Sequence, residues 1–207
     1  MGKESRLFLF LSLCAFTAIA VVCPAGAQDK RVRAKIGIEI KSGDQTRSAR
    51  SQDDINVSDF IRVYVHPEEP GYVYVIHTDE KKSTLLYKPQ QKSQGSTLAM
   101  PSAKDFYQVD GASSNEAFSI IVSPTALAEV RDVFKNGTAS IDDWTAVEES
   151  LLAKSKINLG EDVEKPFAIA GNVRGTDAKN ADPFINNLEI FSGKSLLVKK
   201  YEFRVKK

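Results

Sequence analysis

Two stretches near the ends of the chain alternate apolar and polar residues with period two, and nothing else in the sequence restricts its fold as tightly. Val32, Ala34, Ile36, Ile38 and Ile40 interleave with Arg33, Lys35, Gly37, Glu39 and Lys41. Near the C terminus, Leu197, Tyr201, Phe203 and Val205 stand opposite Lys200, Glu202, Arg204 and Lys206. Successive side chains of a strand point to opposite faces, so each stretch reads as a strand with one face on a core and one in water. Half-buried strands at both ends of a chain fit two facing sheets, one strand in each.

More strands are predicted between them. Residues 60–66 and 72–78 are β-branched and aromatic, 84–88 resumes the pattern, and the intervening 67–71 and 79–82 carry turn residues. Short turns between strands of this length imply antiparallel hairpins. Residues 117–122 and 167–173 are further strand candidates, and 160–166 returns the chain to strand. The polar runs 42–54, 90–96 and 174–183 read as connecting loops able to carry a ligand.

The periodicity changes after Val122. Ser123 before Pro124 fits an N-cap with proline at the first helical position, Leu127, Val130 and Phe134 recur at helical spacing, and Asn136-Gly137 closes the helix. A second helix starts at Ser140, where Ser-x-x-Asp to Asp143 forms a capping-box pattern and Ile141, Trp144, Val147 and Leu151 share one face. Asp142 and Asp143 suit the positive end of that helix. The sole tryptophan, Trp144, is expected at a helix-to-sheet seam. Together these features predict a mainly β protein: an antiparallel β-sandwich, immunoglobulin-like, or a partly open barrel, with two helices inserted around 124–154.

Residues 1–27 have the form of a secretory signal peptide, with Lys3 and Arg6 ahead of an apolar run over 7–22 and Ala25-Gly26-Ala27 before Gln28. The run is short of the roughly 20 residues that cross a bilayer. Val22 stands where lipid attachment at Cys23 needs a small residue. Cleavage after Ala27 would remove Cys14 and Cys23, the only cysteines, and leave 26 basic and 26 acidic residues over 28–207. The expectation is an exported single domain, periplasmic or extracellular, held by a packed core without disulfides. A balanced charge exerts no long-range pull on nucleic acid or anionic lipid, and no later segment is apolar enough to span a membrane.

Candidate chemistry is sparse. No thiol remains after residue 27, and neither a His-Glu-x-x-His helix nor a Gly-x-Ser-x-Gly elbow occurs. His66 and His77 are expected on two strands that pair, at opposite ends of one hairpin. Each reads as a surface or partly buried histidine, or as the base of a small hydrolase with Asp59 or Asp79. Ser123 reads as a cap rather than a nucleophile. Asp177, Asn180 and Asp182 offer oxygen ligands for calcium, but their spacing matches no known loop and no metal or cofactor is expected. Tyr72 and Tyr74 lie on one side of a strand with Ile76, and two readings stand. The tyrosines either pack against the opposite sheet or form, with His77 nearby, a ligand-binding face such as a stacking platform for a sugar. Lys199, Lys200, Lys206 and Lys207 read as edge-strand lysines that discourage aggregation.

Several motifs lie within residues 55–124: Asn56-Val57-Ser58-Asp59-Phe60-Ile61, Pro70-Gly71-Tyr72-Val73-Tyr74-Val75-Ile76, Leu85-Leu86-Tyr87-Lys88-Pro89, Met100-Pro101 and Glu116-Ala117-Phe118-Ser119-Ile120-Ile121-Val122-Ser123-Pro124. This stretch resembles the bacterial secreted family called domain of unknown function 4384. Tyr87-Lys88-Pro89 departs from that family's Phe-Pro, and the resemblance covers neither the helical insert, 124–160, nor the closing segment, 166–207. It implies an envelope or extracellular β-rich module without established catalytic residues, so no residue role carries over. The expected function is therefore a non-enzymatic module that binds an envelope or extracellular protein, with glycan binding or hydrolysis as the alternatives.

Overall fold

The computed structural model describes residues 31–87, 89–156 and 183–207. The proposed leader, the return to strand at 160–166, the strand at 167–173, and the loop at 174–183 up to residue 182, with Asp177, Asn180 and Asp182, lie outside the described residues. The strands are β1 (Val32–Ser42), β2 (Gln45–Ser48), β3 (Asp53–Asn56), β4 (Phe60–Pro67), β5 (Gly71–Thr78), β6 (Ser83–Leu85) and β7 (Gln91–Lys92). They continue with β8 (Leu98–Met100), β9 (Tyr107–Gln108), β10 (Asn115–Ser123), β11 (Thr138–Ala139), β12 (Glu189–Gly193) and β13 (Leu197–Lys206). The helices are α1 (Ala128–Val133) and α2 (Ile141–Ser155).

Among the described residues these strands form two facing sheets that do not close into a barrel. In one, β12, β1, β4 and β8 lie in that order, with β2 beside β1 and β9 beside β4. In the other the order is β11-β6-β5-β10-β13-β3, with β7 beside β5. As the end-strand patterns predict, β1 and β13 fall in different sheets. Ile36, Ile38 and Ile40 of β1 and Ile61, Val63 and Val65 of β4 meet Val73, Val75, Ile120, Val122 and Phe203 in the inter-sheet core.

The predicted hairpin between residues 60–66 and 72–78 does not form. β4 pairs with β1 from Ala34↔Pro67 to Lys41↔Phe60, whereas β5 pairs with β10 in the other sheet. Residues 67–71 therefore carry the chain from one sheet to the other. Gly71 permits this crossing, because a Cβ there would stand 2.7 Å from the Ser123 carbonyl oxygen. The hairpin that does form is β5–β6, with His77 opposite Thr84.

The run 42–54, read as a loop, also contains strands. β2 folds back on β1, and β3 runs parallel to β13 from Phe203↔Asp53 to Lys206↔Asn56. Residues 90–96 likewise include β7, paired with β5. β3 flanks β13 from Phe203 to Lys206, so Lys206 lies inside the sheet and is not an edge guard. Lys206 pairs with Asp54, Lys200 with Glu148 and Glu202, and Lys199 lies over the rings of Phe191 and Tyr201.

A second core lies outside the β5–β10–β13 sheet. There Tyr74, Ile76 and Ile121 meet Leu127, Val130, Phe134, Trp144 and Leu151 from the helical insert. The Ser140 cap is present, its Oγ accepting from Asp143 N at 3.1 Å. α1 instead begins four residues later than the Ser-Pro pattern predicts, because Ser123 finishes β10. The Leu127 N–H at the head of α1 is satisfied by the Tyr74 hydroxyl at 2.7 Å, so a side chain from the sheet replaces the local cap. Glu148, on the buried side of α2, receives Ser119 Oγ–H and pairs with Lys200 Nζ at 3.3 Å.

The outer face of the other sheet was expected to meet water at Glu39, which is in fact 5% exposed. Residues 101–106 and 183–188 fold over it, and Gly37 lets them approach, since a Cβ there would stand 2.7 Å from Leu188 Cδ2. Arg62 bonds the Glu39 carboxylate through Nε at 2.9 Å and Nη2 at 2.8 Å, Tyr64 donates to it at 3.1 Å, and the Tyr64 ring stacks on Phe184. No helix among the described residues is long and apolar enough to cross a membrane. Ser140→Ala should lower stability by about 1 kcal/mol, measured as a shifted urea midpoint with an unchanged slope.

Candidate functional site

The helical layer covers only part of its sheet. Along the outer face of β10, Ile121 lies beneath the helices and Ser119 is bonded to Glu148. The next outward residue, Ala117, has Thr78 of β5 and Glu202 of β13 as its cross-strand partners. A methyl group flanked by longer side chains leaves a depression. This concavity, about 530 Å³, is bounded further by Gln52, Asn115 and Arg204. Such a volume lies within the range of ligand sites, roughly 300–1,000 Å³.

Its walls are firmly held. The Asp79 carboxylate closes the turn after β5 by accepting from the Lys81 and Lys82 N–H groups at 2.7 and 2.8 Å. Glu80 joins this turn to the start of β10: its N–H donates to Ser113 Oγ at 3.0 Å, and its carboxylate accepts from Ser114 N and Asn115 Nδ2 at 3.2 and 3.4 Å. On the far wall, Arg204 pairs with Asp54 at 2.9 Å. Gln52 holds a left-handed backbone, φ 68°, which costs a non-glycine residue roughly 1–2 kcal/mol. Burial opposes ionisation of Asp79, yet the two N–H groups and the neighbouring His77 and Lys82 hold its carboxyl below the usual range.

A smaller cavity of about 170 Å³ adjoins this depression between the sheets, with His77 and Tyr107 among its lining residues. Asp79 and Glu116 border both spaces. His77 packs its ring on Phe118, 4.9 Å between centroids, and brings Nε2 to 3.4 Å from Glu116 Oε2 without forming a hydrogen bond.

The structure separates the residues singled out from the sequence. His66 projects from the outer face of the first sheet, where Nδ1 meets Thr97 Oγ1 at 2.9 Å, while His77 opens into the cavity at the end of the other sheet. Asp59 is occupied elsewhere, accepting from Asn56 N at 2.8 Å. Tyr72 and Tyr74 do share a face, but that face turns toward the helices rather than the opposite sheet. Tyr74 is 1% exposed and Tyr72 packs against the same cluster, so the pair makes no open platform. Burial pushes the Tyr74 hydroxyl above its ordinary range. Sequence reasoning missed Glu116 and Ala117 as site residues. The available signal was a small residue and a carboxylate at the head of an otherwise bulky β run.

No family model, curated protein or solved structure matches the chain.

Tyr74→Phe removes the acceptor for the buried Leu127 N–H and should cost about 1–3 kcal/mol, read by denaturant unfolding. Acid should also destabilise the protein in two stages. Burial, then Lys35, lowers the His66 pKa against the opposing pull of Glu68, so below about 6.5 the unfolded chain takes up the proton first and stability falls. Asp54, held low mainly by Lys206, and Glu129, held low mainly by Lys154, add a loss at more acid pH as their carboxylates protonate. Thermal melts across pH should show both stages, and His66→Gln should remove only the first.

Proposed function

We propose that this protein is an exported, non-enzymatic β-sandwich module that binds a polypeptide partner of the bacterial envelope at the end of the β5–β10–β13 sheet. The observation that carries this reading is the concavity over Ala117, where the helical cover stops and a braced ring of polar groups surrounds an open floor. Rigid walls favour recognition because little ordering entropy is lost on binding. The leader pattern of residues 1–27 and the resemblance to domain of unknown function 4384 support the envelope as the setting.

Binding is favoured over hydrolysis by the arrangement of the polar groups. His77 faces a carboxylate, and Ser113, in the same cavity, accepts the Glu80 N–H. Tyr74 is already engaged under α1, which favours a protein partner over a sugar stacked on the tyrosine face.

Photo-crosslinking in envelope-bearing cells would test the site. A crosslinker replacing Asn115, on the rim, should capture a discrete polypeptide, whereas one replacing the exposed Arg131 should not. Ala117→Phe fills the floor and should abolish the Asn115 adduct while leaving the thermal midpoint within a few degrees. Equal capture from both positions, or capture indifferent to the filled floor, would sink this reading.

A further inference from the structure

The wall of the concavity that carries Gln52 is held differently from the rest. Residues 49–52 cross from β2, in the first sheet, to β3, in the second. Buried side chains pin this crossing at both ends, Ala49 and Ile55 lying in the inter-sheet core. Between those pins Arg50, Ser51 and Gln52 are exposed, and the side-chain bonds are polar or ionic. The Asp53 carboxylate accepts from the Arg50 N–H at 2.9 Å and from Arg47, whose Nη2 also reaches the Asp54 carbonyl at 3.0 Å. Asp54 pairs with Arg204 at 2.9 Å and with Lys206 at 2.6 Å. Ser51 Oγ–H donates to the Lys200 carbonyl at 3.2 Å, and Lys199 Nζ donates to Ser51 Oγ at 3.1 Å.

Two features work against this closed arrangement. Gln52 holds a left-handed backbone, φ 68°, which disfavours any residue but glycine. β3 is a four-residue strand at the edge of its sheet, paired in parallel, the weaker of the two ladders. Charge supplies the opposing force. One exposed ion pair contributes little, but pairs that share partners act as a network, and Arg47, Asp53, Asp54, Arg204 and Lys206 are joined in that way. Among the described residues the charged groups facing Asp54 are Arg204 and Lys206 from β13 and Arg47 from β2. The Lys206 hydrogen bond first, then the Arg204 and Lys206 charges, hold the Asp54 carboxyl below its ordinary range against the effect of burial. Its contribution is therefore complete at neutral pH and is lost as the pH falls through that lowered value.

We infer that residues 50–54 form a charge-latched strap, pinned at Ala49 and Ile55 and closed against β13 through Asp53 and Asp54, which opens locally when those charges are neutralised or screened. Opening takes Gln52 out of the wall of the concavity and frees Arg204, on the same rim, from Asp54. Resting on the binding site proposed above, the strap makes capture of the partner sensitive to salt and acid while both cores stay folded.

Hydrogen exchange of the labelled full domain, resolved by residue and corrected for intrinsic rates, tests the latch. Raising salt from about 0.01 to 1 M shortens the screening length from roughly 30 to 3 Å. The amides of residues 50–54 should then exchange about threefold faster or more, while that of Ile120 in the inter-sheet core should not change. Asp54→Asn should give the same local rise at low salt. The double variant Arg204→Gln/Lys206→Gln should match it, and combining all three changes should add nothing, because they break the same pairs. No rise at 50–54, an equal rise at Ile120, or additive effects would each overturn the latch. The Asn115 photo-adduct should weaken on Asp54→Asn. An adduct indifferent to Asp54→Asn overturns the strap's control of the site, even where the exchange behaves as expected. An adduct absent from the unaltered protein overturns the binding site itself, and the exchange data then judge the latch alone.

Discussion

Strands β5 and β10 carry apolar side chains on both faces, and neither face can be left to water. Val73, Val75, Ile120 and Val122 point into the inter-sheet core, while Tyr74, Ile76 and Ile121 point the other way. Near-continuous hydrophobic strands of this kind require a layer on each side. The first sheet supplies one and the helical insert supplies the other, so the described residues form three layers and two cores. No cysteine lies beyond Cys23, and the described domain is held without a disulfide. Burial on both sides of one sheet is therefore the interaction on which the architecture depends.

The candidate site follows from where that burial ends. The helical layer is pinned at its boundary by a polar contact, Glu148 with Ser119 and Lys200, and beyond it β10 switches from bulky residues to Ala117. One strand thus serves as core under the helices and as floor of a depression beyond them. Glu39 meets Arg62 and Tyr64, and Glu148 meets Ser119 and Lys200, whereas Glu116 has only a long approach to His77.

Much of the secondary structure was legible in advance, and the errors share one cause. The alternation in 32–41 and the Ser140 cap depend on neighbours a few residues apart, and each stands in the structure, whereas α1 ends at Val133, before the Asn136-Gly137 stop. The turn residues at 67–71 were legible too, but they do not say whether a chain folds back within a sheet or crosses to another. Residues 42–54 looked like loop because β2 and β3 have little apolar character and are held by pairing with β1 and β13. The head of α1 was misplaced because Ser123 is drawn into β10 by pairing with Tyr72, and Tyr74, 53 residues away in sequence, then receives the Leu127 N–H. For the same reason Glu39 looked like a solvent-facing residue until the segments folded over it were seen.

By itself, the sequence determined which residues alternate, which recur at helical spacing, and that the two end strands each have one face to bury. Those properties arise from backbone geometry over a few residues. Only the tertiary structure decided that β4 and β5 lie in different sheets, that the tyrosine face meets helices, and that the helical cover stops short of Ala117. Each of these depends on which distant segment reaches a surface first and how far its cover extends, and local periodicity does not encode that distance.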